Sequence, residues 1–334
     1  MAEQFTVRDA VIEAMDEEID RDPTVFLMGQ DVGTMGGNFA TTRGLFDKYG
    51  PDRVRDTPIS EDAMVGAALG AAIAGRRPIV EVMFSAFLGC CMDEIANHMS
   101  QIHYVSRGQA VPRMTLRTVN VFGRSSGCHH SGRPESWLMH LPGLVVLAPS
   151  SPADTKGMLK YAIRSDDPVV FVENAMLYGA SGPRPADGEL IGFGKASVLR
   201  EGTDITVLAY SGSVRQAVAA AQVLATRGIS LEVIDLRSLA PLDTDTIFAS
   251  VAKTRRLITI SEDVRTGGVG AELCSLVTEQ MFGELLTAPA RIAAADTPVP
   301  FAPVLEEAIA PTTSRLVASA ISMMNAKSAV VQRG

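Results

Sequence analysis

The feature that most limits what this chain can fold into is a repeated alternation of amphipathic helical stretches with short apolar runs. Residues 6–20 set Val7, Ala10, Val11, Ala14 and Met15 at helical spacing, and the run Val25-Phe-Leu-Met28 follows just after Pro23. The pairing recurs with a helix over 61–74, capped by Ser60 and ended by Gly75, and the buried strand Pro78-Ile-Val-Glu-Val82. A helix over 90–102 precedes a strand over 113–118. A strand over 144–148, a helix over 153–164 and a strand over 169–173 close this half. Such alternation predicts an α/β fold, a mostly parallel sheet covered by helices on both faces in three layers. Residues 178–194 break the pattern with Gly179, Gly182, Pro183, Pro185, Gly188, Gly192 and Gly194. A second series follows, with strands over 205–210, 230–235 and 257–261 and helices over 213–227, 244–252, 268–282 and 312–325. The expected division is a first domain over 1–178, a linker over 179–194 and a second α/β domain over 195–334.

Composition narrows the function classes. Of 334 residues, 46% are apolar and 20% charged, enough for a large core and against global disorder. Lys plus Arg number 30 against 38 Asp plus Glu, a net charge of −8. Nucleic acid and anionic membrane surfaces call for the opposite sign, so neither is an expected partner. Cys90, Cys91, Cys128 and Cys274 show no metal or redox spacing, which points to a reducing compartment. The first residues do not read as a signal peptide, and the apolar run over 63–75 is too short to span a bilayer. A cytoplasmic location is expected.

Three segments are richer than packing requires. Asp56-Thr-Pro-Ile-Ser-Glu61 reads either as a plain helix start or as a carboxylate delivered beside strand ends to hydrogen-bond a heterocycle. Met83, Phe84 and Phe87, at a strand end, are either core or a stack for a planar ring. Cys128-His-His-Ser-Gly132 sets two adjacent histidines in an aperiodic loop over 119–136, suited to acid–base chemistry or substrate orientation. No further ligand cluster accompanies them, which disfavours a metal there. Gly267-Gly-Val-Gly270 opens a helix after a strand as a phosphate cradle would, but lacks the first glycine of the dinucleotide fingerprint.

Taken together, Arg8-Asp-Ala, Phe26-Leu-Met-Gly-Gln-Asp-Val-Gly33, Asp56-Thr-Pro-Ile-Ser-Glu61, Gly75-Arg-Arg-Pro78, Pro142-Gly-Leu144 and Ile163-Arg-Ser-Asp-Asp-Pro168 carry a resemblance. In order and spacing, over about residues 5–325, the chain resembles the β subunit of a thiamine-diphosphate-dependent 2-oxo acid dehydrogenase E1 component. Gly89-Cys-Cys91 is similar to the acetoin dehydrogenase branch. The resemblance implies a pyrimidine-binding domain followed by a transketolase C-terminal-like domain. It implies an α2β2 heterotetramer with thiamine diphosphate at the α–β interface and acyl transfer to the lipoyl domain of an E2 core. Glu61 would contact N1′ of the aminopyrimidine, Met83 and Phe87 would line the pyrimidine pocket, and His130 would be the active-site histidine. His129 beside it, which replaces a residue that cannot titrate, is a further catalytic candidate on the residues alone, expected to tune the choice of carbonyl substrate. The chain has neither Gly-Asp-Gly nor Asn-Asn, the elements that hold Mg2+ and diphosphate in such enzymes, so that half of the site is expected on the α subunit. A structural K+ would lie on Ala162, Ile163 and Asp167.

Departures from the family pattern are Gln30 for a glutamate, His129-His130-Ser131-Gly132 for Gln-His-Ser-Gln with Arg124 and Arg133 nearby, and Ser165 for an acid. They motivate a second reading, a two-chain transketolase or acyloin synthase making or breaking carbon–carbon bonds on the same cofactor. A third is a non-catalytic subunit, against which the retained Glu61 and His130 stand.

Overall fold

The computed structural model describes residues 5–326. Its larger sheet has seven strands in the order Ser238–Ala240, Val145–Leu147, Val169–Asn174, Thr115–Asn120, Arg77–Val82, Val25–Gly29, Val54–Asp56. All neighbours are parallel except the first pair. The strand Val169–Asn174 is buried along its whole length, the pattern of a parallel strand covered on both faces. On one face lies the helix Val7–Arg21. Thr6 Oγ1 accepts from the Asp9 amide and Asp9 Oδ2 from the Thr6 amide, a capping box that fixes where the helix starts. Its apolar side packs with the helix Pro152–Arg164 over Met15, Ile19, Leu27 and Phe171. Lys156 binds Glu13 and Glu17, and Arg164 binds Glu18, across the same helix pair. On the other face the helix Glu61–Ile73 buries Met64, Val65 and Ala68 against Leu88, Cys91 and Ile95.

The second sheet runs Ala290–Ala294, Leu257–Val264, Ile205–Ala209, Leu231–Asp235, Ser197–Arg200, parallel except for the last pair. The two halves share one core, which extends from Met64 and Leu88 to Leu208, Tyr210, Ile234 and Val269. Ser238–Ala240, from the second half of the chain, completes the first sheet. Within the glycine-rich stretch, Tyr178 is buried with its hydroxyl on Glu173 Oε2 at 2.8 Å, and Ser181–Gly182 pairs with Phe5–Thr6.

Two local expectations change. The stretch read as one helix over 90–102 is instead a 3-10 turn Ser85–Cys91, a π-helical turn Glu94–Met99 and a short helix Ile102–Val105. Leu88, Cys91, Ile95 and Met99 are all buried, at spacings that a regular helix would satisfy equally, so periodicity detects the face and not the winding. Ser60 occupies the N-cap position but its hydroxyl makes no capping bond.

Candidate active site

The carboxyl ends of the parallel strands deliver the candidate residues to one region, the usual place for a ligand in an open α/β sheet. Gly29 is in register with both Asp56 and Glu81. A side chain at Gly29 would meet the Glu81 carbonyl at 2.9 Å, so glycine lets two strand ends close up before Gln30. The Asp56 carboxylate accepts the Gly33 amide at 2.7 Å and ties the following loop down. Beneath this, the guanidinium of the buried Arg117 donates to Glu173 at 2.6 and 3.0 Å and to Glu81 at 2.6 Å. That ion triad cross-links three adjacent strands just before they enter the site.

Glu61 opens the helix Glu61–Ile73 and is half-buried. Gln30, 5% exposed, donates from Nε2 to Glu61 Oε1 at 3.0 Å. Among the described residues, the other oxygen of Glu61 has no hydrogen-bond partner. Gln30, where the resemblance would place an acid, therefore holds the Glu61 carboxylate directly. Burial, with the charge of Glu61 adding, pushes the Cys91 thiol up to about 12, which places Glu61 beside the Ser85–Cys91 turn.

That turn carries the ring cluster. Phe84 meets His130 edge to face with centroids 4.7 Å apart, and Phe87 lies 5.5 Å from the same imidazole. Phe39 continues the stack from Phe84 to Tyr178. The histidine loop is seated on the turn by backbone approach. Ser85 Oγ donates to the Gly132 carbonyl at 2.6 Å, and a Cβ at Gly132 would lie 2.5 Å from Ala86 Cα. Glycine stands at 132 because no side chain fits. Met83 is half-buried at the end of Arg77–Val82. His129 lies on the exposed side of the loop, outside the ring cluster.

The two arginines separate. Arg124 is exposed with its guanidinium 5.7 Å from the Phe39 ring. Arg133 turns inward, 5.1 Å over Phe122, and donates to the Glu262 carbonyl at 3.1 Å. Burial pulls its pKa below the ordinary guanidinium value. Around it lies an acidic group that sequence reasoning missed. Burial, with the charges of Asp263 and Glu262 adding, pushes Glu135 up to about 8. Burial likewise pushes Glu262 up to about 7, although Asn174 and Asn120 donate to it at 2.9 and 3.0 Å. The signal was available in Ser261-Glu-Asp263, paired acids at the end of an apolar strand.

Two other segments singled out by the sequence have their polar groups engaged within the chain. The Gly267–Gly270 turn is no phosphate cradle, because Asp263 Oδ2 already accepts the Val269 amide at 2.5 Å and a Cβ at Gly268 would strike that carboxylate. The segment with Ala162, Ile163 and Asp167, expected to hold K+, has its carbonyls engaged within the chain. The Ile163 and Ser165 carbonyls accept from Arg77 Nη1 at 3.3 and 2.6 Å, and the Ala162 carbonyl accepts the Ser165 amide. The Asp167 carboxylate faces Ser165 Oγ at 3.4 Å. A guanidinium already supplies the positive charge there.

Comparison with known proteins agrees with this layout. Residues 3–180 match the transketolase pyrimidine-binding domain and residues 194–316 the transketolase C-terminal domain. The chain is 47% identical over 324 residues to the mitochondrial pyruvate dehydrogenase E1 component subunit beta-2 of Oryza sativa subsp. japonica, covering 96% of this chain and 86% of that one. It is 44% identical over 315 residues to the pyruvate dehydrogenase E1 component subunit beta of Rickettsia felis, covering 94% and 96%. It is 39% identical over 334 residues to the acetoin:2,6-dichlorophenolindophenol oxidoreductase subunit beta of Cupriavidus necator, covering 97% and 98%. A solved split-gene transketolase, an inactive beta4 tetramer, superposes with a TM-score of 0.81 at 22% identity, covering 97% of this chain and 99% of that one, a likeness of fold. The chain, with its transketolase pyrimidine-binding and C-terminal domains, belongs to the family of β subunits of thiamine-diphosphate-dependent 2-oxo acid dehydrogenase E1 components.

Proposed function

We propose that this chain is the β half of an E1 enzyme that decarboxylates or cleaves a 2-oxo acid or acetoin and passes the acyl group to lipoamide. The observation that carries this reading is Glu61, held by Gln30 through one carboxylate oxygen while, among the described residues, the other is unengaged, next to the turn that bears Phe87. That donor set fits an aminopyrimidine, a flat, uncharged ring with a basic nitrogen. Glu61 would hold the ring at N1′ and share a proton with that nitrogen. Met83 and Phe87 would flank it, and His130, oriented by Phe84 and Phe87, would face the substrate carbonyl. Bound thiamine diphosphate supplies a carbon nucleophile and an electron sink for the pair left by cleavage.

Mg2+ and the diphosphate are assigned to an α subunit in an α2β2 assembly, because the chain lacks the sequence elements for them. Large apolar side chains stand in water around the site: Ile59 at 85%, Met35 at 75%, Phe301 at 74% and Val304 at 71% exposure. Patches of this kind suit a covering partner chain. No described helix is long and apolar enough to cross a membrane. All four cysteines are free, which suits a reducing compartment such as the cytoplasm.

The test is co-expression with an α subunit and assay of pyruvate, other 2-oxo acids and acetoin with an artificial electron acceptor. Glu61→Gln is expected to assemble normally and to lose activity by about 10²-fold or more, the scale of a lost acid–base group. Wild-type turnover in Glu61→Gln would refute the role given to Glu61. Turnover only with aldehyde acceptors would favour the transketolase or acyloin synthase reading.

A further inference from the structure

We propose that Glu306, on the second half of the chain, is a positioning residue that holds the histidine loop in its working shape. This rests on the reading above, in which that loop forms one wall of the active site. Glu306 is 3% exposed on the short helix Pro303–Ile309. Both of its carboxylate oxygens are spent on loop backbone. Oε1 accepts the Gly123 amide at 2.8 Å, and Oε2 accepts the Ser125 amide at 2.8 Å and faces the Ser125 hydroxyl at 3.4 Å. The two amides bracket Arg124, so the chain wraps one carboxylate in a turn of three residues.

The turn needs such an anchor. Gly123 has φ +89° and Ser125 φ +57°, both in the left-handed region, where a serine is strained. A carboxylate that accepts two amides is the ligand that such a concave backbone binds best. It also compensates the desolvation of the buried charge itself. Beside it Phe122, 4% exposed, packs with Ala294, Val299, Ile309 and Ala310 of the second half. An apolar plug and a charged clasp thus fix the loop entrance at adjacent positions. Downstream, the Gly127 carbonyl accepts the His130 and Ser131 amides at 3.4 and 3.2 Å, so the fixed entrance carries on to the imidazole against Phe84. Glu306 does not reach the ring cluster. It acts through the loop, and it makes the position of the second half matter to His130.

The experiment uses the complex with the α subunit and the variants Glu306→Gln and Glu306→Ala. Amide hydrogen exchange over residues 119–130 is measured beside steady-state kinetics. Exchange at Gly123 and Ser125 is expected to speed up by about tenfold or more in Glu306→Ala, the loss of a clasp that holds local opening in check. The kcat is expected to fall about 10- to 100-fold, the cost of misplacing a catalytic group by about 1 Å, with KM changed by less than about threefold. Glu306→Gln keeps one acceptor oxygen and should fall between, which also decides the matter if the alanine variant fails to assemble. Unchanged exchange, or faster exchange with wild-type kcat, would overturn the proposal. A wild-type complex without cofactor-dependent turnover would overturn the proposed function instead, and the exchange data would still decide whether Glu306 holds the loop.

Discussion

His130 and His129 are neighbours in sequence with different surroundings, and this separates their expected roles. His130 packs its ring against Phe84 and Phe87, which restricts it to few orientations. His129 is exposed and can respond to whatever the partner or substrate presents. His130→Ala is therefore expected to lower turnover by about 10²-fold, as for a lost acid–base or orienting group. His129→Gln should leave turnover within about threefold on the best substrate and shift the ratios of kcat/KM across a panel of 2-oxo acids and acyloins, since it touches no packed ring. A small effect of His130→Ala with a large one of His129→Gln would reverse the assignment. Glu61, Met83, Phe87 and His130 stood out in the sequence because each lies in a segment richer than packing needs, and the resemblance supplied the roles expected of them. Gln30 was legible only as an oddity, because its contact with Glu61 joins residues far apart in the chain. The inward turn of Arg133 was not legible, since it is set by Glu262 and Phe122, which no local pattern announces.

At the scale of the element, the loop over 119–136 and the Ser85–Cys91 turn behave as one unit, joined where the backbone of Gly132 touches Ala86. Gly132→Ala should force the two apart, because the added carbon would sit 2.5 Å from Ala86 Cα. A destabilisation of about 1–3 kcal/mol is expected, the range for overpacking a tight contact. A lowered thermal midpoint with reduced turnover would agree, and a variant equal to wild type in both would show that the loop floats free of the turn. The long βα alternation was readable because burial on both faces demands continuous apolar runs, as in Val169–Asn174. The edge strands Ser197–Arg200 and Ser238–Ala240 were not. They are short and owe their strand character to partners, Leu231–Asp235 and Val145–Leu147, that only the fold supplies. The π-helical turn Glu94–Met99 escaped for a related reason: its buried side chains repeat as an α-helix would.

Across the whole molecule, buried acids sit where the two halves meet, and they couple folding to pH. The ordinary value for Glu135 is 4.5, and burial raises it to about 8 in the folded chain. Below 4.5 the carboxyl is protonated whether the chain is folded or not. Between the two values the folded chain keeps a proton that the unfolded chain has released, so this contribution to stability falls as pH rises and levels off above about 8. Glu262, raised to about 7, acts in the same sense over a narrower window. Glu135→Gln should therefore flatten the fall in thermal midpoint between pH 5 and 8, and parallel wild-type and variant curves would show that Glu135 does not carry this coupling. Glu135 could not be read as buried from sequence, because an isolated Glu is most often a surface residue and only the packing of one half on the other encloses it. In the proposed function, which belongs to this scale too, the chain holds the pyrimidine half of an active site and an α subunit the half that binds Mg2+ and diphosphate. Titration calorimetry with Mg2+ and thiamine diphosphate tests it most directly, on the chain alone and on its complex with an α subunit. The expected result is no tight binding by the chain alone and tight, stoichiometric binding by the complex, weakened by Glu61→Ala. Tight binding of the magnesium–cofactor complex by the partner-free chain would contradict it.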